Sequence, residues 1–141
     1  MRISIASSII LPVIALGVLG AQNNTTIKHV PLSSTSPTSG KEMFGAYCAV
    51  CHGVEGKGGG PAAAALKSQP ANLTELTFKN GGTFPELRVT QTLFAGGISA
   101  HGSPEMPIWG DLFKSLDAGK QSMAQMRVAN LTAYIKSIQA K

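Results

Sequence analysis

Two cysteines three positions apart, followed at once by a histidine, form the stretch Cys48-Ala49-Val50-Cys51-His52. Cys-x-x-Cys-His reads as a c-type haem attachment site. Each thiol can add across one haem vinyl group, and His52 then lies close enough to the iron to supply an imidazole nitrogen as proximal ligand. These are the only cysteines in the chain. Nothing remains for a disulfide framework or for a four-thiolate zinc or iron–sulfur site. A thiol–disulfide oxidoreductase is a competing reading of Cys-x-x-Cys. That motif usually opens a helix after a strand, whereas the residues before Cys48 have a helical pattern and no βαβ pattern surrounds them. A zinc site lacks a second ligand pair, and a local disulfide beside an incidental histidine is the bland alternative.

The chain has 141 residues, enough for one domain plus an export segment. Between Arg2 and Gln22 it carries no charge and is rich in Ile, Leu and Val, ending on Gly20-Ala21. Residues 1–21 therefore read as a secretory signal peptide, with an uncleaved membrane anchor as the alternative. Both readings export the remainder, to the periplasm or its equivalent. The formal charge is +5, one less once Arg2 is cleaved away, and two haem propionates would offset part of it. The basic residues are scattered singly, so no nucleic-acid face is expected.

Residues 22–38 are rich in Ser, Thr, Asn and Pro and read as a disordered linker, with His29 a solvated part of it. The folded domain is expected over 39–141. Ser39 to Glu42 matches a capping box. The helix that follows runs into the haem motif with Met43, Phe44 and Tyr47 on its apolar face. The glycines from Gly53 to Gly60 form an irregular loop without the spacing of a phosphate-binding loop. Short helical turns are expected at Ala62–Leu66 and, capped by Asn72, at Asn72–Leu76. A helix should run from Pro85 to about Ala95 with Leu87, Thr90, Leu93 and Phe94 inward, stopped by Gly96-Gly97. A loop follows to about Ser115. The last helix is expected to start at Ser122, with Gln125 closing a capping box and Val128, Leu131, Ile135 and Ile138 as its buried stripe. Little alternation of period two is present, so the fold class is all-α: about four short helices and long loops around one covalently bound haem.

The far face of the iron can draw on Met43, His101, Met106, Met123 or Met126. Met43 is too near the attachment motif to swing across the ring, and Met123 and Met126 sit on an ordinary amphipathic helix. Met106 lies in a loop stiffened by Pro104 and Pro107 and is the favoured ligand. His101, five residues upstream, is the serious competitor, because imidazole binds iron more strongly than thioether does.

With these residues in view, the chain resembles the class I, mitochondrial-type bacterial cytochromes c over roughly Ser39 to Ala140. Cys48, Cys51 and His52 match the attachment motif. Gly40 and Phe44 stand eight and four residues before Cys48, as on that family's first helix. Leu131 and Tyr134 match its L-x-x-Y/W on the last helix, and Met106-Pro107-x-Trp109-Gly110 its methionine loop. The resemblance implies the small cytochrome c fold, with first and last helices crossing at Gly40. It implies that the carbonyl of Pro61 accepts the Nδ1–H of His52, and that Trp109 packs near the haem edge or propionates. It further implies one-electron transfer through a single haem c between exported redox partners, with His52 and Met106 as axial ligands and no catalysis at the iron. A haem-bearing subunit through which electrons enter a periplasmic dehydrogenase or reductase is the alternative role. A haem sensor or peroxidase would need an open sixth site. The membrane is a partner only if the N-terminal segment stays uncleaved.

Overall fold

Helices make up the regular structure of residues 33–95 and 106–141, the part of the chain that the computed structural model describes. The predicted signal segment 1–21, residues 22–32 of the predicted linker with His29, and Gly96, Gly97, His101 and Pro104 lie outside the described residues. No strand occurs among the described residues, in keeping with the all-α expectation.

Helix α1 (Gly40–Met43) starts where the capping pattern predicts. The Ser39 hydroxyl accepts from the Glu42 N–H at 3.2 Å. The reciprocal half of the box is replaced: the Glu42 carboxylate accepts from the Ser36 N–H at 3.3 Å. The chain then passes through a π-helical segment (Phe44–Cys48) into α2 (Ala49–His52), and the Ala49 N–H reaches back five residues to the Phe44 carbonyl. Such single-turn π segments recur at functional sites, because the extra residue re-aims the side chains after it.

Single turns of 3₁₀-helix at Ala63–Ala65 and Leu73–Glu75 lead into α3 (Leu76–Lys79). Asn72 caps the second turn, its Oδ1 accepting from the Thr74 N–H at 3.0 Å. Helix α4 (Glu86–Ala95) buries Thr92 and Leu93. Leu87, expected inward, is 71% exposed: the buried Leu93 lies six residues on, about a third of a turn out of phase at 3.6 residues per turn.

Helix α5 (Trp109–Leu116) occupies a stretch expected to be loop. Trp109, Leu112, Phe113 and Leu116 recur at i, i+3, i+4 and i+7, and all four join the core. Helix α6 (Gln121–Ser137) starts one residue earlier than expected. Lys120 is its N-cap without a side-chain hydrogen bond, so Gln125 closes no capping box. Val128, Leu131 and Ile135 are buried as expected, Ile138 only partly.

Helix α6 packs on α1, α4 and α5. A Cβ on Gly40 would fall on the Asn130 carbonyl oxygen and 2.7 Å from the Tyr134 Cβ. Only glycine lets α1 and α6 approach this closely. Beside it the Phe44 and Tyr134 rings lie 5.2 Å apart, tilted by 52°, an arrangement worth about 0.5–1.5 kcal/mol beyond area burial.

Residues 33–38, read from composition as the end of a linker, pack on the helices. Thr35 is buried. The Tyr47 hydroxyl bonds Thr35 Oγ1 at 2.9 Å and donates to the Ser33 carbonyl. Asn130 donates to the Pro37 carbonyl at 3.0 Å. Arg127 on α6 is 2% exposed and donates to the Thr35 carbonyl (2.9 Å) and hydroxyl (3.1 Å). Its remaining nitrogens hold the Asp117 carboxylate at 2.7 and 3.2 Å, and the guanidinium sits 5.9 Å from the centre of the Phe113 ring. A mostly polar segment thereby acquires contacts that its composition does not suggest.

Candidate haem site

The helix through Cys48 and the loop behind His52 build one wall of the site. Cys48 is buried and Cys51 and His52 are half-buried. Burial, with the neighbouring Cys51 adding to it, pushes the Cys48 thiol up to about 12. A thiol held protonated at neutral pH is a poor attacking group for disulfide exchange. This is the opposite of the low-pKa first cysteine that an oxidoreductase needs.

The His52 ring is oriented through Nδ1, which lies 3.0 Å from the Ala71 carbonyl oxygen. Pro61, the acceptor implied by the family resemblance, does not fill this role: it is exposed and lines neither of the cavities described below. The reason lies in how the loop returns. The chain after His52 folds back first at Gly58 and Gly60, whose N–H groups bond the His52 and Cys51 backbone carbonyls, and passes the His52 ring only later, at Ala71. Gly58 makes that second passage possible. Its φ is +92°, and a Cβ there would collide with the Pro70 carbonyl oxygen. Gln69 ties the two passes together by donating to the Gly58 carbonyl at 2.6 Å. The acceptor is thus a backbone group delivered by a close loop-to-loop contact.

Two cavities, with empty volumes of about 680 and 820 Å³ that include open solvent, share Cys48, His52, Ala71 and Met106 in their linings. The first adds Tyr47, Pro107 and Trp109, and the second adds Leu73, Leu76, Leu93 and Ile135. Met106, half-buried, therefore meets the same space as His52. Trp109 is buried, with its ring 5.5 Å from those of Tyr47 and Phe113. The other methionines lie elsewhere. Met43 is fully buried, its Sδ 3.8 Å from Arg127, and Met123 and Met126 are half-buried on α6 and line neither cavity. Among the described residues no group of three or more His, Cys, Asp or Glu side chains gathers to hold a bare metal ion.

Two thiols, an oriented imidazole and a thioether border two largely apolar cavities that share part of their walls. These groups fit haem c: cysteines to bond the vinyl groups, nitrogen and sulfur ligands for iron, and an apolar bed for the macrocycle. The all-α fold and this donor set define a c-type cytochrome domain, whose work is haem-mediated electron transfer. Residues 35–135 match the family model described as cytochrome c oxidase, cbb3-type, subunit III, and the chain belongs to that family. No curated protein and no solved structure matches the chain significantly.

Sequence reasoning passed over Tyr47, Ala71 and the glutamine at 69 as parts of this site. Tyr47 carried the signal of a core aromatic only. Ala71 contributes a carbonyl, which no side-chain pattern marks.

Proposed function

We propose that the domain carries one haem c, bound through Cys48 and Cys51 with His52 and Met106 as axial ligands, and passes single electrons between redox-partner proteins on the exported side of the membrane. The observation that carries this reading is the shared lining: the attachment thiol Cys48, the oriented His52 and Met106 meet the same two cavities. When bound, the haem supplies a ferric–ferrous couple. The protein's part is to hold it in place. The Ala71 carbonyl fixes the His52 ring and raises its basicity. Imidazole from His52 and thioether from Met106 would together favour the reduced iron and so a higher potential. Two protein ligands leave oxygen or peroxide no coordination site, which fits a carrier rather than a catalyst.

A second role is favoured by the family description itself. A domain of a family described as an oxidase subunit suits an electron-delivering subunit of a larger oxidoreductase as well as a free shuttle. Among the described residues no helix is long and apolar enough to cross a membrane, so attachment to such a complex would fall to the N-terminal segment or to docking.

Expression with export and a haem-attachment system tests the reading. Intact mass should exceed the mature polypeptide by one haem, the pigment should survive acid–acetone extraction, and the reduced protein should not bind carbon monoxide. A product of bare polypeptide mass with a reducible disulfide refutes it. Co-purification with a larger enzyme from its native membranes distinguishes the subunit from the shuttle.

A further inference from the structure

Tyr47 meets the haem cavity with its ring and the segment before α1 with its hydroxyl. The ring lines the first cavity together with Met106, Pro107 and Trp109. It packs on Trp109 at 5.5 Å and on Phe113 at 5.7 Å between centroids. Trp109 opens α5 and stands three residues after Met106. The start of α5 is therefore fixed from two sides, by Gly110 against the Phe94 carbonyl and by Trp109 against Tyr47. Aromatic packing sets the spacing of rings but leaves them some freedom to slide in offset. A hydroxyl anchored at the tip of the ring removes that freedom.

The anchor has a fixed direction. The Arg127 guanidinium can only donate, and the Ser33 carbonyl can only accept. Arg127 Nη1 donates to Thr35 Oγ1 at 3.1 Å. The Tyr47 hydroxyl spends its one proton on the Ser33 carbonyl. The Thr35 hydroxyl therefore donates to the Tyr47 oxygen, at 2.9 Å. These bonds form one line from Arg127 through Thr35 and Tyr47 to Ser33. The three side chains are buried, so bulk water does not replace a lost partner. The same guanidinium lies 5.9 Å from the centre of the Phe113 ring and so grips the aromatic cluster at a second point.

We propose that Tyr47, latched by Thr35, is the positioning residue that keeps Met106 on the iron. The inference rests on the axial pair proposed above. The latch acts through Trp109. Held at its tip, the Tyr47 ring blocks retreat of the Trp109 ring, and with it the short step of chain back to Met106. A released ring gives the first turn of α5 room to shift. The thioether, a weaker iron ligand than imidazole, then yields more readily to an external ligand.

The test is imidazole binding to the ferric, haem-loaded protein, followed by the Soret shift, which reads how firmly Met106 holds. Met106→Ala sets the upper limit of affinity. Tyr47→Phe keeps the ring and removes only the hydroxyl. It should bind imidazole about two- to tenfold more tightly than the wild type, the factor that one net hydrogen bond is worth. Thr35→Val should do the same, and Thr35→Ser should match the wild type. Val128→Ala truncates a buried residue of α6 that lines neither cavity. It should lower the unfolding midpoint and leave the imidazole affinity unchanged. Wild-type affinity in Tyr47→Phe and Thr35→Val, or an equal rise in Val128→Ala, overturns the latch while leaving the haem reading intact. A wild type that binds imidazole as tightly as Met106→Ala does, or that carries no haem, overturns the axial reading and the latch with it.

Discussion

Asp117→Asn removes the charge that faces a buried arginine, and its cost follows from the geometry. Arg127 is 2% exposed, and both oxygens of Asp117, itself 15% exposed, accept from it at 2.7 and 3.2 Å. Breaking a buried pair from one side costs about 3–5 kcal/mol, because the remaining charge is left uncompensated. Two features lower that figure here. The asparagine oxygen can still accept one bond, and the partly exposed Asp117 position admits water. About 2–3 kcal/mol is expected. A domain of this size shifts its melting temperature by about 4–8 °C per kcal/mol, so a drop of roughly 10–20 °C should appear in far-UV circular dichroism melts at neutral pH. The Arg127 hydrogen bond holds the Asp117 carboxyl below its ordinary value. A depressed carboxyl adds stability that is fully present above its unfolded pKa, near 3.9, and is lost as pH falls through the folded one. The gap between wild type and variant should therefore be constant at neutral pH and narrow below about pH 4. A single variant that melts with the wild type, or a gap that does not close in acid, would refute the reasoning.

Gly40→Ala should destabilise by at least the upper end of the usual overpacking range of about 1–3 kcal/mol, because the atoms in its way are Asn130 backbone and the Tyr134 Cβ. Urea unfolding checks it, and an unchanged midpoint would mean that α1 and α6 do not cross at this residue. Gly58→Ala forces an L-residue to φ +92° against the Pro70 carbonyl, a strain of about 1–3 kcal/mol. It should also loosen the Ala71 bond to His52, making the imidazole less basic and raising the potential, and a potential equal to wild type would detach that loop from ligand tuning. Met106→Ala should abolish the methionine–iron charge-transfer band and open the reduced iron to carbon monoxide, while His101→Ala should do neither. The reverse pattern would make the protein a bis-histidine cytochrome of lower potential.

What the sequence made legible was local or periodic. Cys48, Cys51 and His52 announce themselves by spacing alone, whereas the crossing at Gly40, Phe44 and Tyr134 was legible only through the resemblance of two short patterns to the class I cytochromes c. Helix α5 was equally periodic, yet Pro107 and Gly110 read as loop punctuation. Pro107 in fact stands two residues before the helix, where it breaks no intrahelical bond. A Cβ at Gly110 would strike the Phe94 carbonyl, so that glycine marks a close approach to α4 instead of a break. The π segment has no side-chain signature at all, because an extra backbone residue costs the apolar pattern only one step in phase.

Arg127 shows most clearly why the rest stayed hidden. An arginine at one position of a helix ordinarily extends to water, and its neighbours Met126 and Val128 give no reason to expect otherwise. It is buried because its partners come from elsewhere: Asp117 lies ten residues back across the α5–α6 turn, and Thr35 lies 92 residues away in a segment too polar to fold by itself. Each element is unfavourable alone. A buried guanidinium needs its hydrogen bonds, and a Ser- and Thr-rich strand of chain lacks apolar surface to dock with. Together they satisfy each other. No buried side-chain nitrogen or oxygen among the described residues is left without a partner. The same mutual dependence reaches the haem site, because the Tyr47 ring lines its first cavity while the Tyr47 hydroxyl is spent on Thr35 and Ser33. The residues that composition marks as linker thus hold a cavity wall in place, so trimming the chain back to Ser39 would remove part of the site's support along with apparent slack.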